Sequence, residues 1–157
     1  MASVASGHAL PSGCRIFTSI PDVFFIPEFL FGGSVGILVA MSGQSWYSPV
    51  GWVMFVSVFC FVVTTVWFFI FLGGANEKSI WLSLDVGYHF VAALFYLSVL
   101  VTLAFIDTVL ASWIEHSHSG ILILYRMGIS AAVLSFMATL FYFFHAIFSA
   151  IRWKRSK

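Results

Sequence analysis

"VGWVMFVSVFCFVVTTVWFFIFL", Val50 to Leu72, runs for 23 residues without one charged side chain. As a helix rising about 1.5 Å per residue it is roughly 34 Å long, enough to cross the ~30 Å hydrocarbon core of a bilayer. Its apolar residues do not alternate with polar ones, as the strands of a membrane barrel do. The stretch reads as a transmembrane helix.

Three further apolar runs, 22–42, 84–106 and 126–151, have comparable length. Over all 157 residues the chain is 61% hydrophobic and 8% charged, against about 25% charged in soluble domains. So few charges could not cover a water-facing surface, so lipid is the solvent for most of the chain. The predicted fold is an all-α integral membrane protein, a four-transmembrane-helix antiparallel bundle. It consists of an N-terminal tail (1–20), a membrane domain (21–151) and a short basic tail (152–157). A net charge of +1 excludes a basic nucleic-acid-binding domain, so no nucleic-acid partner is expected. There is no Gly-rich phosphate loop, CxxC or HExxH, and neither enzymatic activity nor a cofactor is expected. Cys14 in the tail and Cys60 inside an apolar run are badly placed for a disulfide. The first 20 residues lack the continuous apolar core of a signal peptide, position 2 is not Gly, and there is no Asn-x-Ser/Thr sequon.

Between the runs, Pro21 suits an opening turn, "GQSWYSP" (43–49) reads as a turn, and Gly73 and Gly74 close the second run. Ser83 is a candidate N-cap for the third run. The amphipathic segment 107–125 suggests an interfacial helix. With four spans both termini share a side, which holds Arg15, Lys78, Arg152, Lys154, Arg155 and Lys157; the other side holds only Arg126. The positive-inside rule then predicts cytoplasmic termini. Trp46, Trp52, Trp81, Trp113 and Trp153 fall near span ends, as interfacial indoles do.

Each run carries small or polar residues at helical spacing: Glu28, Gly32, Gly36 and Ala40; Ser57, Cys60 and Thr64; Asp85, His89, Ala92 and Tyr96; Ala131, Ser135, Ala138, Tyr142, His145 and Ser149. These are the predicted inward faces, with Gly32, Gly36, Ala92 and Ala138 as packing positions. The spacing of four in the first run, with its GxxxG, predicts a close helix crossing there. Glu28, His89 and His145 fall at similar depth near the side of the termini, with Asp85 one turn beyond His89. Ionisable groups at membrane depth face the interior and pair with one another. Pro27 next to Glu28 predicts a bend that frees the carbonyl of Val23. A polar clamp fixing helix register is the structural reading of this cluster; a proton, ion or lipid-headgroup site in a small tetraspan carrier is the functional one. A transporter would show broken helices in matching positions, and only the first run has the proline. No two of Glu28, His89 and His145 have ligand spacing within one helix, so no metal is expected. His116 and His118 read as solvated loop residues. Cys14 is a candidate for S-acylation. Arg152, Lys154, Arg155 and Lys157 form a basic cluster suited to anionic headgroups. Arg15, Phe17 and Val23 fit a loose cholesterol pattern.

Several blocks, "LPSG" (10–13), "PEFLFGG" (27–33), "GWVMFVSVFCFVVTT" (51–65), "LDVGYHFVAALFYLS" (84–98) and "ATLFYFFHAIFSAIRWK" (138–154), resemble the MARVEL-domain family of tetraspan proteolipids. The likeness covers nearly the whole chain except 107–124. Gly36 departs from the Trp expected at that place, and the tail "RWKRSK" is longer and more basic than the family's. The resemblance implies a raft-associated proteolipid with cytosolic termini, resident in the apical plasma membrane and trafficking vesicles. Sphingolipids, cholesterol, membrane cargo proteins and a homo-oligomer are its expected partners, and vesicle sorting to apical or myelin membrane its expected role. A channel or carrier using the Glu/His cluster is the alternative. Short outer loops without a cysteine pair argue against a junctional adhesion protein.

Overall fold

A computed structural model of the chain describes residues 13–43, 49–74, 79–114 and 119–155, the side chains of Ser79 and Ser119 excepted. Two 3-10 turns, Gly13–Phe17 and Asp22–Phe24, lead into four helices: α1 (Phe25–Met41), α2 (Val50–Leu72), α3 (Ser79–Ile114) and α4 (Ser119–Arg155). All four are long and apolar enough to cross a membrane, and the described residues contain no strand. Each helix packs on its two chain neighbours, α4 closing the ring on α1, and the α3–α4 pairing is the most extensive. The backbones of α1 and α3, and of α2 and α4, do not approach one another closely. Only side chains meet across these diagonals.

α1 and α2 end at glycines in the left-handed region, Gly43 at φ 70° and Gly74 at φ 71°, where a residue with a Cβ would be strained. The other half of the fold departs from expectation. α3 begins at Ser79, so Ser83 is an exposed position inside the helix and caps nothing. α3 also continues to Ile114 and α4 starts at Ser119, so 107–125 holds no separate interfacial helix. Nothing in "DTVLASWI" or "ILILYR" breaks a helix, and the amphipathic pattern there belongs to two long helices lying on each other. Their overlap buries Asp107, whose carboxylate lies where a Cβ on Gly128 would be. Pro27 falls in the first turn of α1, where its missing N–H removes no bond of the α-helix. The helix starts at Phe25, so the bend predicted there is replaced by the 3-10 turn Asp22–Phe24.

The inward stripes of α2, α3 and α4 are buried as predicted. In α1 the buried positions are Phe25, Glu28, Gly32, Val35 and Val39, alternating steps of three and four. Steps of four drift by about 40° each on a helix of 3.6 residues per turn. By Ala40 the predicted stripe has turned onto the exposed side. The two glycines serve different neighbours: a Cβ on Gly32 would lie 2.5 Å from the Tyr96 hydroxyl of α3, and one on Gly36 would lie 3.1 Å from Cβ of Ser57 in α2. The single close seam expected of the GxxxG is therefore not formed. Outward, Phe55, Phe69, Phe90, Phe105 and Phe136 are among the exposed large side chains. A surface of this kind suits lipid.

Candidate functional site

Near the end of the bundle where the described residues begin and end, three helices deliver four ionisable side chains into one buried cluster. Glu28, from the first turn of α1, is 1% exposed, and Asp85, His89 and His145 are 0% exposed. Nδ1 of His145 (α4) lies 2.8 Å from Oε1 of Glu28, and Nε2 of His89 (α3) lies 3.5 Å from its Oε2. The two imidazoles stack, with centroids 3.5 Å apart and planes at 26°. Nδ1 of His89 lies 2.8 Å from the carbonyl oxygen of Asp85 one turn earlier and 3.2 Å from its Oδ1. A carbonyl can only accept, so this nitrogen carries a hydrogen and Nε2 is turned toward Glu28. The first turn of a helix also favours a carboxylate electrostatically, which helps to place Glu28.

Asp85 joins this pair to the end of the bundle. Its oxygens accept from Trp67 Nε1 of α2 at 3.0 Å, from Arg152 Nη2 of α4 at 3.1 Å, and from the Ser149 hydroxyl. The Arg152 guanidinium also donates through Nη1 to Asp22 at 3.1 and 2.9 Å, and Ser19 donates to the same carboxylate at 2.9 Å. Phe25 is packed edge-on against His145 with centroids 4.8 Å apart, shielding the cluster from one side. Toward the middle of the bundle, the Thr64 hydroxyl of α2 lies 2.6 Å from that of Tyr88 (α3) and 2.8 Å from that of Tyr142 (α4). Tyr88 also donates to the carbonyl of Cys60 at 3.0 Å. The result is a hydrogen-bonded column that ties all four helices together.

The structure thus brings Glu28, His89, His145 and Asp85 together. Gly32, Ala92 and Ala138 are buried at helix contacts and Gly36 is partly so. Cys14 is an exposed free thiol on the first 3-10 turn, and Arg15 and Phe17 beside it are exposed too. The basic tail divides: Lys154 and Arg155 are exposed, whereas the guanidinium of Arg152 donates to Asp22 and Asp85. Lys157, His116 and His118 lie outside the described residues. The sequence reading placed Ser149 only on the inward stripe of the fourth run and missed Asp22, Trp67 and Asp107. An aspartate just after Pro21 and an arginine at the far end of the last helix are the signal for the Asp22–Arg152 pair.

Ligating atoms of Glu28, His89 and His145 lie within 4.8 Å of one another, a convergence invisible to spacing because each comes from a different helix. At the opposite end a cavity of about 40 Å³ opens beside Asp107, lined by Val39, Val50, Leu103 and Gly128 among others.

The MARVEL family model, described as a membrane-associating domain, matches residues 17–148. The chain is 47% identical to the human Myelin and lymphocyte protein over 156 residues, covering 99% of this chain and 98% of that protein. It is 49% identical to the bovine Myelin and lymphocyte protein, with 98% of each covered. To MARVEL domain-containing protein 1 of Xenopus laevis it is 27% identical, over 98% of this chain and 88% of that one. No solved structure matches it.

Proposed function

This chain belongs to the MARVEL family, and on that premise we propose that it is a raft-associated membrane proteolipid without catalytic activity. In this reading it gathers sphingolipid- and sterol-rich membrane for vesicle traffic to apical plasma membrane or myelin. The observation that carries the reading is hydrophobic length combined with an aromatic lipid face. α2 has 23 residues, and α3 and α4 have 36 and 37, or roughly 34 Å for α2 and more than 50 Å for the hairpin at 1.5 Å per residue. Sterol-rich plasma membrane has a hydrocarbon core of about 32–33 Å and the endoplasmic reticulum one of about 27 Å. Long helices locked in a ring cannot each tilt to fit the thinner one. Full-length protein reconstituted in vesicles with coexisting ordered and disordered phases should concentrate in the ordered phase. Concentration in the disordered phase would sink the reading.

The carrier alternative rests on Glu28, His89 and His145. Their burial at 0–1% exposure within a closed ring favours the clamp. The same reading places both termini and the 75–78 connection in the cytoplasm, by the Lys and Arg bias. In a variant with Cys14 replaced, a cysteine at Ser117 should label from outside intact cells and one at Lys78 should not. The reverse pattern would invert the topology. Membrane cargo proteins, further copies of the chain, and anionic headgroups at Lys154, Arg155 and Lys157 are its proposed partners.

A further inference from the structure

We propose that Glu28, His89 and His145 form a binding site for a divalent cation of the zinc class inside the bundle. Three observations converge on it. Glu28 Oε2, His89 Nε2 and His145 Nε2 are all buried without a hydrogen-bond partner, although they sit in the most polar part of the core. The environment of the imidazoles then fixes what is missing. His89 gives the hydrogen on Nδ1 to the Asp85 carbonyl at 2.8 Å, so a neutral ring turns the lone pair of Nε2 toward a carboxylate oxygen 3.5 Å away. His145 also faces Glu28, its Nδ1 2.8 Å from Oε1, and with the ring hydrogen on Nε2, toward Oδ1 of Asp85 at 3.9 Å, the Nδ1 lone pair is turned to the same carboxylate. Each pairing sets acceptor against acceptor away from water, and something positive is needed between them.

The donor set gives the kind of ion. Imidazole nitrogens select zinc-class ions over magnesium and calcium, and two histidines with a glutamate leave a fourth position open for water. Tetrahedral ligands at about 2.1 Å stand about 3.4 Å apart, close to the 3.5 Å already separating His89 Nε2 and Glu28 Oε2. His145 completes the set, its ligating nitrogen within 4.8 Å of the other two. Asp85 holds the far nitrogen of His89, the orienting contact that metal-bound histidines use.

The test uses full-length protein in mild detergent, stripped with a chelator, equilibrated with Zn²⁺ and desalted before metal and protein are both quantified. The expected result is one zinc per chain, and with Co²⁺ in its place the intense visible absorption of a low-coordinate nitrogen–oxygen site. Glu28→Gln, His89→Gln and His145→Gln should each weaken binding by about tenfold or more. His116→Gln with His118→Gln, which removes the other histidine pair, should leave it unchanged. Helical circular dichroism shows which variants are folded; where one is not, the wild-type stoichiometry and cobalt spectrum still decide. Absence of zinc from the wild-type chain would overturn the site. So would zinc that is lost with the His116/His118 pair and kept by folded His145→Gln.

Discussion

Glu28 owes its place among phenylalanines to partners from two other helices, His145 at 2.8 Å and His89 at 3.5 Å. Glu28→Gln, whose amide both donates and accepts, keeps a hydrogen-bond partner for His145 Nδ1, so its loss of stability should stay within about 1 kcal/mol. Glu28→Leu leaves that nitrogen buried and unpaired, and about 1–3 kcal/mol should be lost; unfolding in a detergent titration, compared between the two variants, checks the order. Arg152 is the stricter case, since Asp22 and Asp85 are both buried beneath it. Removing one partner of such a network strands the others. Arg152→Leu should therefore cost about 3–5 kcal/mol, while Lys154→Leu at an exposed position should stay within about 0.5 kcal/mol. Equal losses in the two would mean that Arg152 is only a surface charge. The intramembrane ionisable residues were legible in the sequence because cost alone dictates that Glu28, His89 and His145 turn inward at one depth. Asp22 and Arg152 were not, because charges near a span end read equally well as headgroup contacts.

Among the elements, α1 shows where a repeat misleads. Its glycines are four apart, but Gly32 meets Tyr96 of α3 while Gly36 meets Ser57 of α2. Tyr96 is fully buried and stacked on Tyr142 at 5.4 Å, so its ring cannot swing away from a new methyl group. Gly32→Ala should then cost about 1–3 kcal/mol by overpacking. The Tyr96 hydroxyl is buried and unpartnered, so Tyr96→Phe should be close to neutral and should restore most of the loss in the double variant. A Gly32→Ala variant that Tyr96→Phe does not rescue would place the strain elsewhere. α2 was predicted to the residue because Pro49 and the glycines at 73 and 74 bracket a charge-free run. The outer parts of α3 and α4 were not, because Asp107 and Arg126 look like the ends of spans. In the structure Asp107 is taken up against Gly128 within the α3–α4 pairing, and a buried carboxylate no longer marks a boundary.

At the scale of the whole molecule the helices differ in length, and the difference lies at one end. The cavity beside Asp107 is lined by Ser42 and Val50, where α1 ends and α2 begins, and by Leu103 and Gly128. Beyond that level, among the described residues, only α3 and α4 continue, to Ile114 and back from Ser119, carrying exposed Val109, Trp113 and Ile123. Among the described side chains of this extension, 108–114 and 120–125, none is fully buried, so the ring can form without it. Its apolar face needs cover, which a thick bilayer supplies and a thin one does not. Deleting 108–114 and 119–125 removes seven residues from each arm, or about 10 Å of helix at 1.5 Å per residue, and spares the buried cluster. Seven residues are close to two full turns, so the inward stripes of α3 and α4 keep their facing. Mismatch costs only fractions of a kcal/mol per Å, but association of several copies would multiply that bias. The shortened protein should fold with unchanged helical content in its remaining length and shift from ordered to disordered phase in mixed vesicles. If it stays in the ordered phase, length is not what sorts it. Direct contact between its outer surface and particular lipids would then be the better account.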